Sequence, residues 1–127
     1  MVHIKRAYEP PSRRDGTHIL VDRLWPRGLK KEQVKVVKWM RELGPSTELR
    51  KSFGHDPAHW REFRRRYKVE LRRPEARAML KEVSEAAARG TVTLVYSAKD
   101  EEHNQAIVIS EVLGSRRNAP PRKTVTG

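Results

Sequence analysis

Residues 91–96, Thr-Val-Thr-Leu-Val-Tyr, constrain the fold more than any other stretch of the chain. They are β-branched, aliphatic or aromatic throughout, the composition of a buried strand. Helix-length patterns flank them. From Pro74, apolar Ala76, Met79, Leu80, Val83, Ala86 and Ala87 recur at helical spacing, and Gly90 follows as a stop. Downstream, the spacing predicts a helix over 101–113, apolar over much of its circumference, with Gly114 as its end. Strands interleaved with helices imply an α/β layer structure with a largely parallel sheet.

The rest of the chain fits this scheme. Residues 2–8 alternate apolar and polar as a first strand, and Asp15-Gly16 marks a turn before a second strand over 17–21. A helical turn is expected within 29–34, and the short apolar run 36–40 reads equally as strand or helix. Ser46 or Thr47 caps a helix over 48–53 that Gly54 stops. Asp56-Pro57 opens another, with Trp60, Phe63, Tyr67 and Leu71 on one face and a basic stripe, Arg61, Arg65, Lys68 and Arg72, beside it. At 127 residues the chain fits a single domain. Its expected extent is 1–114. The tail 115–127, which holds Arg116, Arg117, Arg122 and Lys123 and no acid, is expected to be disordered.

Composition excludes several chemistries. With no cysteine there is no disulfide, thiolate metal site or cysteine nucleophile. No apolar run approaches a membrane span and no signal peptide opens the sequence, so the expected compartment is the cytoplasm, with no membrane partner. The net charge of +12 favours encounters with polyanions. The sequence specifies no cofactor and no oligomeric state.

A candidate site follows from the second strand. Residues 18–28, His-Ile-Leu-Val-Asp-Arg-Leu-Trp-Pro-Arg-Gly, pass from an apolar run to a charged loop. In a parallel sheet the loops after strands gather at one edge. Loops 22–28 and 97–100 are expected there, joined by Pro45-Ser46 if 36–40 is a strand. Arg23 and Arg27 can clamp a carboxylate or phosphate, with Trp25 offering a flat face between them. Ser97, Lys99 and Asn104 can orient an anion from a helix N-terminus. Ser46 can add a hydroxyl, and Lys5-Arg6 with Tyr8 can extend a positive rim. The structural alternative is that Asp22 pairs with an arginine, Trp25 fills the core, and Ser46 and Asp100 cap helices.

The resulting reading is a domain that binds a small anionic, phosphate- or carboxylate-bearing ligand, with catalysis left open. The alternative is a nucleic-acid-binding accessory protein that uses the Arg61, Arg65, Lys68, Arg72 stripe and the basic tail. A module with no ligand at all is the third reading. No metal is expected: His55 and His59 are four apart, but the helix starts at Pro57 and leaves His55 outside it. His103 is the one histidine close enough to the expected pocket to test as an acid or base.

At Val21-Asp22-Arg23-Leu24-Trp25-Pro26-Arg27-Gly28 the chain resembles the YeaO-like family of bacterial and archaeal domains of unknown function. The resemblance continues through Lys5-Arg6-Ala7-Tyr8, Pro45-Ser46-Thr47-Glu48-Leu49-Arg50 and Phe63-Arg64-Arg65-Arg66-Tyr67. Thr93-Leu94-Val95-Tyr96-Ser97-Ala98-Lys99 and Asn104-Gln105-Ala106 complete it. It implies a small Rossmann-like three-layer α/β domain with a largely parallel sheet, and little about activity.

Overall fold

The computed structural model describes residues 1–117. Its sheet contains β1 (Val2–Arg6), β2 (Thr17–Leu20), β3 (Lys38–Trp39) and β4 (Val92–Tyr96), in the order β1-β4-β2-β3, and every pairing is parallel. The apolar 91–96 run lies inside the sheet, as its composition requires. β4 pairs with β1 from Val2↔Val92 to Arg6↔Tyr96 and with β2 from Thr17↔Val92 to Leu20↔Val95, and all five of its residues are buried. The 36–40 run resolves as a strand of two residues at the far edge.

The two sheet faces are covered unequally. Ile19, Val92, Leu94 and Tyr96 face the main core, packed by α2 (Thr47–Phe53), α3 (Trp60–Glu70), α4 (Pro74–Arg89) and α5 (Gln105–Arg117). Phe63, Tyr67, Leu80, Val83 and Ile109 are the buried stripes of these helices, and each fully buried aliphatic contributes about 2 kcal/mol. Leu20 and Val95 face the other way, onto Ala7, Val34 of the single-turn α1 (Lys31–Val34), Trp25 and Trp39.

Capping residues set most helix ends. The Ser46 hydroxyl accepts from the Leu49 amide at the start of α2, and Gly54 ends that helix in the left-handed region. Asp56 caps a 3-10 turn, Pro57–His59, that leads into α3. Two expectations about α5 need correction. It begins at Gln105 because the Asp100 carboxylate takes the Glu102 and His103 amides, and Asn104 then accepts from the Ile107 amide as the cap. It also continues through Gly114 to Arg117, since Gly114 does not take the positive φ that would turn the chain away. The remainder of the tail lies outside the described residues. Among those described, no helix is long and apolar enough to cross a membrane.

Candidate functional site

Because all four strands are parallel, the segments that follow them share one edge. Residues 22–28 leave β2 there, 97–104 leave β4, and 40–46 leave β3. The expected meeting of the first two loops occurs, and its centre is Asp22. This carboxylate is buried and accepts a hydrogen bond from the Gln105 side chain on Oδ1. The Ser97 hydroxyl and amide face it and favour its charged form, as does the Arg50 guanidinium at longer range. No donor among the described residues closes a hydrogen bond onto Oδ2, and the buried Arg50 Nε likewise lacks an acceptor. Burial therefore dominates and pushes the Asp22 carboxyl up to about 6. The sequence offers Asp22 as an arginine's ion-pair partner. Its direct partner is instead the amide of Gln105, a residue the sequence reading did not single out.

The arginines of the 22–28 loop separate into two roles. Arg23 turns inward and donates from Nη2 to the Gly44 carbonyl at 2.7 Å and from Nε to the Pro45 carbonyl at 3.3 Å. Gly44 permits this, because a Cβ there would lie 2.6 Å from the Arg23 backbone nitrogen. Arg23 thus fixes the segment after β3 as the third wall. Arg27 is exposed, and among the described residues its guanidinium has no ion pair. Trp25, between them, donates to the Leu29 carbonyl at 2.7 Å and meets Trp39 edge-on at 5.5 Å, so its ring belongs to the smaller core. Trp39 in turn donates to the Asp22 carbonyl at 2.7 Å.

The other predicted residues fall around this centre. Ser46 gives its hydroxyl to Glu70 at 2.5 Å, and its amide donates to the same carboxylate at 2.9 Å, which ties α2 to the end of α3. Asn104 is buried and donates to the Asp100 carbonyl at 3.0 Å while capping α5. Lys99 is exposed. The Asp100 carboxylate holds His103 Nδ1 at 2.8 Å, and the imidazole lies edge-on to Trp60 at 5.2 Å. The Asp100 acid is held below its usual range by the Glu102 amide and by His103.

β1 binds the two loops to each other. Arg6 donates from Nε to the Ala98 carbonyl at 2.9 Å and from Nη2 to the Ser97 carbonyl at 3.5 Å. Two residues on, the Tyr8 hydroxyl donates to the Arg27 carbonyl at 2.8 Å. The Arg6 guanidinium lies over the Tyr8 ring, 5.1 Å from its centre. One Arg6–Tyr8 stack thus touches the backbone at Arg27 on one loop and at Ala98, next to Lys99, on the other.

The remaining candidates lie elsewhere. Arg61, on α3, and Arg72, in the turn after it rather than on the expected helix stripe, are exposed; Arg65 pairs with Glu62 at 2.6 Å, and Lys68 shares Glu111 with Arg64. His59 Nδ1 contacts the Phe53 carbonyl at 3.2 Å, and His55 takes a positive φ beside Phe53. No group of three potential metal ligands occurs among the described residues.

These features define a small α/β domain with a four-stranded parallel sheet and an edge built from the three segments that follow β2, β3 and β4. A family model described as the inactive DUF488-N3 subclade matches residues 1–123. The uncharacterised protein YeaO of Escherichia coli (strain K12) is 41% identical over 114 residues, covering 90% of this chain and 97% of the relative. The uncharacterised protein Rv3073c of Mycobacterium tuberculosis (strain ATCC 25618 / H37Rv) is 35% identical over 115 residues, covering 91% and 95%. The chain belongs to this YeaO-like DUF488-N3 family. No solved structure matches it.

Proposed function

We propose that the domain binds a small phosphate- or carboxylate-bearing ligand at the carboxyl edge of its sheet, in the cytoplasm, without transforming it. The observation that carries this reading is the double tie from β1. Arg6 holds the Ala98 carbonyl, next to Lys99, and Tyr8 holds the Arg27 carbonyl, so one stack joins the two backbone segments that carry these cations. Both cations are exposed, and no carboxylate among the described residues neutralises either. In this reading Arg27 and Lys99 supply charge to the anion and Arg6 lends a shared field. Arg23, Trp25, Ser46, Ser97 and Asn104 act as the frame that holds the loops in register.

A binding role fits better than chemistry for two reasons. The acids and hydroxyls at the edge are engaged inward: Asp22 with Gln105 and Ser97, Ser46 with Glu70, Asp100 with His103. The matching family model is also described as an inactive subclade.

The test is a thermal-shift titration with inorganic phosphate and with a small dicarboxylate, at fixed ionic strength. The wild-type chain is expected to show a saturable rise in Tm with at least one of them. Arg27→Ala and Lys99→Ala should each weaken the midpoint by about tenfold, the scale of one lost charge-assisted contact. Arg61→Ala, on the far helix, should leave it unchanged. A saturable shift that survives the Arg27→Ala/Lys99→Ala double variant would overturn the reading.

A further inference from the structure

The smaller face of the sheet carries a second concentration of positive charge, on the segments before β2 and on either side of β3, apart from the α3 stripe. A 3-10 turn, Arg13–Asp15, precedes β2. Its Asp15 carbonyl accepts from the Thr93 hydroxyl at 2.6 Å, and its carboxylate takes His18 Nε2 at 2.9 Å. Thr93 and His18 pair across β4 and β2, and they alternate with Leu94 and Ile19 of the main core. The turn therefore lies over the opposite face, the face that α1 also covers through Val34. His18 joins the two elements, since its Nδ1 contacts the Lys35 carbonyl at 3.3 Å, just past α1.

This arrangement puts the turn that carries Arg13 and Arg14 and the segment that carries Lys30, Lys31 and Lys35 on the same face of the sheet, joined through His18. Arg41 extends the group past β3, where its guanidinium lies 4.3 Å above the Trp39 ring. All six are exposed, and among the described residues none of the six side chains has an ion pair. Between Arg13 and Arg41 the acids are Asp15, Asp22 and Glu32. The two aspartates are buried and point inward, which leaves Glu32 as the exposed acid of this stretch. The α3 stripe differs: Glu62 and Glu111 answer its charge at 2.6 and 3.5 Å.

We propose that this roof of the 3-10 turn and α1 is a docking surface for the phosphodiester backbone of nucleic acid, independent of the edge site. Like charges spread over one face with few acids among them repel one another, and a polyanion that spans the face removes that repulsion while releasing its own counterions. The face carries no exposed aromatic side chain for stacking on bases, so contact is with phosphates and is not sequence-specific. An anionic membrane is the poorer fit. α1 is a single turn whose apolar residue, Val34, is buried, so it has no apolar face to insert between lipids.

The experiment measures binding of the full chain to a short labelled DNA duplex by fluorescence anisotropy between about 50 and 200 mM salt. A quadruple variant, Arg14→Gln/Lys30→Gln/Lys31→Gln/Lys35→Asn, removes four of the charges. Asparagine is used at Lys35 because the backbone there has φ 55°. The expected result is a loss of at least about tenfold in affinity at low salt and a log–log salt slope shallower by about three to four. The Arg61→Gln/Arg72→Gln variant should change affinity by less than about threefold, because those residues lie off the docking face and only long-range charge is lost. If the quadruple variant does not fold, Arg13→Gln/Arg14→Gln and Lys30→Gln/Lys31→Gln are measured separately, each expected to reduce the slope by about two. The proposal is overturned if the wild-type chain does not bind the duplex at low salt, or if the quadruple or both pair variants bind as wild type. A larger loss from the α3 variant, or binding to phosphatidylserine vesicles but not to the duplex, would overturn it too. None of these outcomes bears on the phosphate titration, which reads Arg27 and Lys99.

Discussion

Asp15 and Asp22 are the same residue, both with little exposed surface, at opposite ends of β2, but Asp22 lies deeper in the fold and the two are held in opposite ways. At Asp15, burial works against the charge, but Lys5 Nζ at 2.8 Å, His18 Nε2 at 2.9 Å and the Ser12 amide at 2.7 Å all reach the same carboxylate oxygen and hold the acid well below its usual range. At Asp22 burial prevails. The neutral donors of Gln105 and Ser97 and the more distant Arg50 only partly restore the charged form, and the acid rests at about 6. A buried carboxylate is an anchor when cations and amides surround it and a titrating group when they do not. Here the anchor lies under the roof of the smaller face, and the titrating group lies where the edge loops converge.

The largest effect that would test this contrast comes from Asp15→Ala. It leaves the Lys5 ammonium, the His18 ring and the Ser12 amide without their common acceptor, and it unties the 3-10 turn from β2. The expected loss is about 3 kcal/mol of unfolding free energy, measured by urea denaturation at neutral pH. A loss below about 0.5 kcal/mol, the scale of an ordinary surface change, would show that Asp15 is not an anchor.

Asp22→Asn should act in the other direction and should depend on pH. The folded Asp22 carboxyl titrates near 6 and its unfolded counterpart near 3.8. The folded state therefore binds the extra proton between these values, and the wild-type chain loses stability as pH rises from about 4 through about 6. Asparagine does not ionise, so the variant lacks that fall and should be more stable than wild type at pH 7 by about 2 kcal/mol, with the difference gone near pH 4. Asp15 gives the opposite slope in a lower window: the stability it supplies is lost as pH falls below its unfolded value of about 4. Urea midpoints from pH 4 to 7.5 separate the two groups. A wild-type profile flat from 4.5 to 6.5 would refute the assignment of Asp22.

Much of this architecture can be read from local chemistry. The 91–96 run can only be a buried strand, and Ser46, Gly54, Asp56 and Pro74 mark helix ends that the backbone respects. The meeting of loops 22–28 and 97–104 also follows from parallel topology alone. Which residue faces which does not. Arg23 and Arg27 are four apart on one loop, and nothing local says that the first turns inward. The cause is Gly44, twenty-one residues away, whose missing side chain lets its backbone approach that of Arg23. The start of α5 was obscured by competition, since Asp100 and Asn104 both bond to nearby amides and the helix waits for the second. Gln105 is not legible in the sequence, because an amide one position into a helix looks like surface until Asp22 is placed against it.

That last contact offers the finest probe of the comparison. Gln105→Leu keeps most of the volume but removes the side-chain donor on Asp22 Oδ1. If the edge depends on charge at Asp22, the loss should be greatest where the carboxylate is ionised, because a hydrogen bond to a charged group is worth more than one to a neutral acid. The expected cost is about 1–2 kcal/mol at pH 7.5 and less than half of that at pH 4.5. The titration of Asp22 should move further up, since one of the interactions that opposes burial has gone. A cost that is the same at both pH values would make Gln105 a packing residue and leave Asp22 to be explained by burial and Ser97 alone. A pH-dependent cost would identify Gln105, alongside Ser97, as a residue that keeps the Asp22 carboxyl near 6 rather than higher, a control that Asp15, with the Lys5 ammonium on its carboxylate, does not need.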